Sequence, residues 1–173
     1  MIEYQVQPGV MQEGISISSL VRQARINPQG PLPLIRCNAA LTTNVGQGFD
    51  DIIDFAPNVS CVKAFGLLTC AGVILTSTHE SFPARAVVYH APSGNFAPGK
   101  LQELLGYLAD AHGAQPPLNS ILAVYAFPNP ADDGYREEAL KIQNIGIPGD
   151  NIVFIPNISG VTFGINSHGQ VGI

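Results

Sequence analysis

The sequence predicts an α+β fold in which a β-sandwich or layered mixed sheet is flanked by helices. Three observations carry this expectation. The chain has 173 residues, 46% of them apolar, and a domain of about 150 residues buries roughly 68–70% of the surface its unfolded chain exposes, so one real core is available. From residue 59 onward, candidate elements run β, β, β, α, β, α, β, β, β. That order is neither the strict βα alternation of a doubly wound sheet nor the helix-free run of a sandwich alone. There is also no internal repeat and no low-complexity segment to divide the chain.

Taken in order, residues 1–36 read as an ordered N-terminal extension ahead of one catalytic-type domain over residues 37–173. Tyr4-Gln5-Val6 alternates like a short strand. Ile17, Leu20, Val21 and Ala24 recur at helical spacing until Asn27-Pro28-Gln29-Gly30-Pro31 stops them. The extension is expected to dock on the domain or on a partner, without folding independently. Phe49, Ile52, Ile53 and Phe55 form an apolar stripe among Asp50, Asp51 and Asp54, acids that suit a helix N-terminus and a solvated face. Val59–Leu68, Ala71–Leu75 and Ala84–Tyr89 are β-prone. Residues 98–112 predict a helix, with Pro98 in the first turn, Leu101, Leu104, Leu105 and Leu108 on one face, and Gly113 as a left-handed cap. A strand at 120–127, a helix at 132–144 and a strand at 151–155 follow. Val161–Ile165 and Gln170–Ile173 then flank Asn166-Ser167-His168-Gly169, residue types that supply a hairpin turn.

Composition excludes several functions. Only eight residues are Lys or Arg, they do not cluster, and the formal charge is -5, so nucleic acid and anionic membrane surfaces are poor partners. No apolar run is long enough to span a bilayer, and Met1-Ile2-Glu3-Tyr4-Gln5 lacks the basic start and apolar stretch of a signal peptide. A cytoplasmic protein is expected, or one delivered to another cell without a cleaved signal. Charged residues make up only 12% of the chain, which favours self-association or a partner-binding face. Cys37, Cys61 and Cys70 are odd in number and lack a C-x-x-C spacing. The expectation is therefore no disulfide framework, no zinc site and no cofactor.

Chemistry points first to Cys70 and His90. If the strands around them form an antiparallel hairpin turning within Thr76–Pro83, a register pairing Gly72 with Val88 and Ile74 with Ala86 sets Cys70 opposite His90. Directly opposed side chains have Cβ atoms about 4.5–5.5 Å apart, within reach of a thiol–imidazole hydrogen bond. The pairing matters because an isolated thiol, with pKa near 8.5, is mostly protonated at neutral pH and an imidazole can take its proton. Gly72 beside the thiol would let a substrate backbone approach. Against this, a cysteine among Ala, Gly and Val is usually inert core. Cys61 beside Lys63 and Cys37 after Arg36 are weaker candidates. His79 and His168 read as turn residues, and His112 as a helix C-terminal charge.

The run Phe65-Gly66-Leu67-Leu68-Thr69-Cys70-Ala71-Gly72-Val73, then Val87-Val88-Tyr89-His90-Ala91-Pro92, then helix, strand and helix to Pro148, then Val161–Ile173, resembles the CheD chemoreceptor glutamine deamidases. It is also similar to the catalytic domain of the cytotoxic necrotizing factors and related lethal-factor deamidases. The resemblance covers residues 59–173. It implies a protein glutamine deamidase acting on a target protein without a cofactor. Cys70 would be the nucleophile, His90 the base, and Thr69 and Gly72 the oxyanion and substrate positions. Thr69 stands where those families carry a smaller residue. Ala64 occupies the place of the threonine that orients the histidine in CheD-type enzymes, while in the toxin branch a backbone carbonyl does that work. Two other classes stay open: a non-catalytic protein-binding module, and a small-molecule thiol hydrolase on the same scaffold.

Overall fold

The computed structural model describes residues 1–129 and 133–173. A six-stranded mixed sheet forms the centre, ordered β1 (Ile2–Glu3), β11 (Ile152–Ile155), β10 (Ile121–Ala126), β8 (Ala71–Ser77), β9 (Arg85–Ala91) and β6 (Asp50–Asp54). β1, β11 and β10 are parallel to one another, and the remaining pairings are antiparallel. A five-stranded sheet packs on one face, ordered β3 (Ile15–Ser16), β13 (Gln170–Gly172), β12 (Phe163–Asn166), β7 (Cys61–Ala64) and β5 (Thr42–Val45). A two-stranded parallel ribbon, β2 (Gln5–Glu13) with β4 (Gln29–Leu34), completes the strands.

Two cores result. The inner one lies between the sheets and takes Ile74, Val88, Val124 and Val153 from the large sheet, Val62, Phe163 and Ile165 from the small one, and Ile17, Leu20, Val21 and Ala24 from α1 (Ile17–Ile26). The outer core lies under α2 (Lys100–Gly106) and α3 (Asp133–Asn144). Val73, Leu75, Val87 and Tyr89 meet Leu101, Leu104, Leu105, Tyr135, Ala139 and Ile142 there. The central strands are therefore apolar on both faces, and β10 is buried along its whole length. A layered α+β architecture is the outcome. No described helix is long and apolar enough to cross a membrane.

Residues 1–36 are woven into both sheets. β1 adds an edge to the large sheet and β3 an edge to the small one. α1 starts where Ser16 accepts a hydrogen bond from the Ser19 N–H, and its stripe faces the inner core as its spacing predicts.

Several elements differ from expectation. Asp50–Asp54 is an edge strand, not the start of a helix. Its two β-branched isoleucines alternate, Ile53 into the inner core and Ile52 toward the outer one, and its acids pair laterally, Asp50 with Lys100 and Asp54 with Arg85. The helix expected over 98–112 stops at Gly106. Beyond it Asp110 accepts from the His112 and Ala114 N–H groups, so Gly113 serves that turn and His112 lies outside the helix. The expected helix start at Asp132 lies outside the described residues. The terminal hairpin forms as its turn residues require, with Gly169 at φ 73°.

The β8–β9 hairpin forms, but its register is displaced by two residues: Gly72 pairs with His90, Ile74 with Val88 and Thr76 with Ala86. A two-residue slip keeps every side chain on its original face, so apolar alternation cannot distinguish the two registers. Hydrogen bonds at the turn decide between them, including Thr76 Oγ1 donating to the Arg85 carbonyl at 2.7 Å.

Candidate functional site

Strand directions bring the start of β8 and the ends of β9, β7 and β5 to one end of the sandwich. Cys70 immediately precedes β8, and His90 is the penultimate residue of β9. The His90 N–H donates to the Phe49 carbonyl (3.0 Å) and its carbonyl accepts from the Gly48 N–H (2.9 Å). Its main chain therefore faces away from β8, which makes Gly72–His90 a non-hydrogen-bonded pair, the closer kind.

Cys70 lies two residues from Gly72 on the same side of the strand, so it is the diagonal neighbour of His90 and not the residue opposite. Diagonal pairs sit about 7–8 Å apart at the backbone. No hydrogen bond joins Cys70 Sγ to the imidazole; the sulfur is 4.0 Å from Thr69 Oγ1. Both groups are buried, Cys70 6% and His90 3% exposed, beside the residue 65–69 segment, whose Phe65 ring packs edge-on to the imidazole at 6.2 Å. In that segment Gly66 adopts φ 67°, a left-handed turn open to glycine, and Leu67 is fixed by a two-way backbone pairing with Val161 and Gly160.

The imidazole is oriented by the main chain. His90 Nδ1 lies 2.9 Å from the Val45 carbonyl oxygen. A carbonyl can only accept, so Nδ1 carries the proton and, in the neutral ring, Nε2 carries the lone pair. Nε2 is buried and has no partner. A buried nitrogen left unpaired costs about 1–3 kcal/mol, so this atom is either strain or a site kept open for a proton donor. Val45, Gly48 and Phe49 were outside the reach of sequence reasoning, because their contribution is backbone alone.

A disulfide joins Cys37 to Cys61, which corrects the expectation of no disulfide framework and removes both residues as nucleophiles. Spacing concealed it, since 24 residues separate the two and only the parallel β5–β7 pairing brings their segments together. Residues between the two cysteines include every backbone partner of His90: Val45, Gly48 and Phe49. The bond thus closes the loop that holds the imidazole. Replacing Cys37 and Cys61 by alanine is expected to lower stability by about 3 kcal/mol, the loop-closure value for this length. Amide exchange should rise across residues 42–54, as read by mass spectrometry. An unchanged denaturation midpoint, or three titratable thiols in the oxidised protein, would refute that role.

Thr69 and Gly72 occupy different surroundings. A Cβ on Gly72 would lie 3.4–3.6 Å from Leu67, Ala64 and Phe163, so Gly72 faces the inner core and gives no path to a substrate. The Thr69 carbonyl accepts from the Tyr135 hydroxyl at 2.8 Å. Tyr135 reaches it by lying across Gly94, where a Cβ would fall 2.4 Å from the ring; the Gly94 carbonyl is itself held by Tyr125 Oη at 2.6 Å. In a trans peptide the N–H points opposite to the C=O, so this clamp turns the Cys70 N–H away from Tyr135. The N–H groups of Thr69 and Cys70 have no partner among the described residues. Sequence reading missed Tyr135, and the aromatic-after-glycine pattern of Asp133-Gly134-Tyr135 gives no signal of a contact 66 residues away. Tyr135→Phe is expected to cost about 1 kcal/mol, the worth of one hydrogen bond, and to change the rate at which iodoacetamide alkylates Cys70. If both are unaltered, the clamp has no role.

The other histidines stay apart from this pair. His79 packs edge-on against Phe82 in an exposed turn, and His168 Nε2 lies 3.0 Å from the Pro57 carbonyl. Neither a family model nor a curated protein matches the chain.

Proposed function

We propose that the chain is a cysteine-dependent amidohydrolase that converts glutamine to glutamate on a target protein. The observation carrying this reading is the open Nε2 of His90, fixed by the Val45 carbonyl on the same face as the free thiol of Cys70. An imidazole held through one nitrogen, with the other buried and unpaired, is organised to exchange a proton with a partner beside it. A carbonyl as orienting group also agrees with the toxin branch of the families that the sequence resembles.

In the proposed reaction Nε2 takes the thiol proton and the Cys70 sulfur attacks the carboxamide carbon. Side-chain rotation, with the substrate bound, closes the diagonal gap; catalytic hydrogen bonds are often long in unliganded sites. The free N–H groups of Thr69 and Cys70 receive the developing oxyanion. The imidazolium returns its proton to the nitrogen, the C–N bond breaks, ammonia departs and a thioester remains. Water, deprotonated by the same Nε2, then hydrolyses the thioester to glutamate and regenerates the thiol. Gly72 is left out of this scheme because it faces the core.

The Cys37–Cys61 disulfide bears on location. Such bonds persist in oxidising compartments and are rare in a reducing cytoplasm, so of the two expected locations it favours action outside the cytoplasm that makes the protein.

A second reading rests on burial. Cys70 belongs to the inner core with Ala64, Leu67 and Ile74, the setting of an inert cysteine in a protein-binding module. Iodoacetamide separates the two: an activated thiol is alkylated in the folded protein, whereas a core cysteine reacts only on unfolding. The direct assay incubates the oxidised protein with candidate partners and reads the gain of ~1 Da per deamidated glutamine and the release of ammonia. No mass shift on any partner, together with an unreactive Cys70, would leave the binding module.

A further inference from the structure

We infer that the end of the sandwich bearing Cys70 and His90 binds an uncharged polypeptide segment with apolar residues beside the glutamine, an inference that rests on the deamidase reading. The described residues of the loops meeting there, 46–49, 65–70, 92–95, 127–129 and 156–162, include no Asp, Glu, Lys or Arg. Of the charges that border these loops, Asp50 and Lys63 are turned away, and Asp51, opposite Val88 on the His90 side of β6, has its Oδ1 engaged by the Ile52 N–H at 2.8 Å. Asp50 points to the helix-covered face, where it meets Lys100 at 2.9 Å. Lys63 alternates with the inward Val62 and Ala64 and so projects from the outer face of the small sheet.

Around this uncharged mouth stand Phe49, 71% exposed, Phe65, 50%, and Leu68, 68%. Phe49 is tied to the His90 N–H through its carbonyl, the Phe65 ring packs edge-on to the imidazole at 6.2 Å, and Leu68 lies two residues before Cys70. The two phenylalanines are the exposed ones among those described. Free glutamine brings a carboxylate, which loses hydration here without gaining a cation from these loops. A glutamine inside a peptide brings neutral amides, and apolar neighbours on either side cover Phe49, Phe65 and Leu68.

The test uses the full-length oxidised Cys70→Ala protein, which binds without turnover, and three probes by calorimetry. These are acetyl-glycyl-leucyl-glutaminyl-leucyl-glycinamide, the same peptide with aspartyl in place of both leucyl residues, and free glutamine. The leucyl peptide is expected to bind about tenfold or more tightly than the aspartyl peptide, a factor of ten being one step on the affinity scale, with no binding of glutamine. Phe49→Ser and Leu68→Ser, both at largely exposed positions, should each weaken the leucyl peptide about tenfold, while Met11→Ser on the distant β2 should change nothing. Equal binding of the two peptides, absence of binding, or indifference to Leu68→Ser overturns the inference. Ammonia release from the parent protein is read separately. If both peptides are deamidated equally, the inference falls and the deamidase stands; if the leucyl peptide binds selectively and no ammonia appears, the docking surface stands and the deamidase falls.

Discussion

His90→Ala is expected to abolish deamidation while the domain stays folded. The substitution removes the group that takes the thiol proton, returns it to the departing ammonia and activates water, three tasks at one nitrogen. Residues acting as such a unit are strongly non-additive, and removing a base of this kind costs about 10⁴-fold or more. Cys70→Ser should lose as much, because a hydroxyl is far harder to deprotonate than a thiol, and the double variant should be no worse than either single one. The fold should survive. Exchanging sulfur for oxygen changes little volume, and His90→Ala breaks one buried hydrogen bond, that of Nδ1 to the Val45 carbonyl, at a cost of about 1–3 kcal/mol against a domain's net stability of about 5–15 kcal/mol. The decisive readouts are the mass of the target glutamine and the melting temperature of each variant. Activity retained by His90→Ala would remove the proposed base, and a large fall in melting temperature with no activity in the parent would return Cys70 to the core.

Removal of residues 1–30 is expected to unfold the protein. The segment supplies Tyr4, Ile17, Leu20, Val21 and Ala24 to the inner core, all buried, and takes away the edge strands of both sheets. Burying a large apolar side chain contributes about 1.5–3 kcal/mol, so losing the segment forfeits stabilisation comparable to the whole of a domain's net stability of about 5–15 kcal/mol. The truncated chain should lack near-ultraviolet circular dichroism and a cooperative transition. If it instead melts cooperatively near the temperature of the parent, residues 1–30 are dispensable to the core. Alkylation of Cys70 has meaning only in the full chain for the same reason.

The outcome at each element follows from how local its determinants are. Ile17, Leu20, Val21 and Ala24 mark α1 correctly because a helix face repeats within a few residues. The terminal hairpin was legible because Asn166-Ser167-His168-Gly169 dictate a turn. Asp50–Asp54 misled because five residues with two isoleucines satisfy a short helical stripe and an alternating strand equally well; only the hydrogen bonds offered by β9 choose between them.

The sequence by itself determined the layered α+β class, the helical face of the N-terminal segment, the hairpin joining β8 to β9, and the common face of Cys70 and His90, since each depends on periodicity along a few neighbouring residues. The tertiary structure decided the rest: the two-residue register, the Cys37–Cys61 bond, the Val45 carbonyl on His90 and the Tyr135 clamp on Thr69. Those contacts join positions 10–66 residues apart, two of them through backbone oxygens that every residue carries, so no side-chain pattern could announce them.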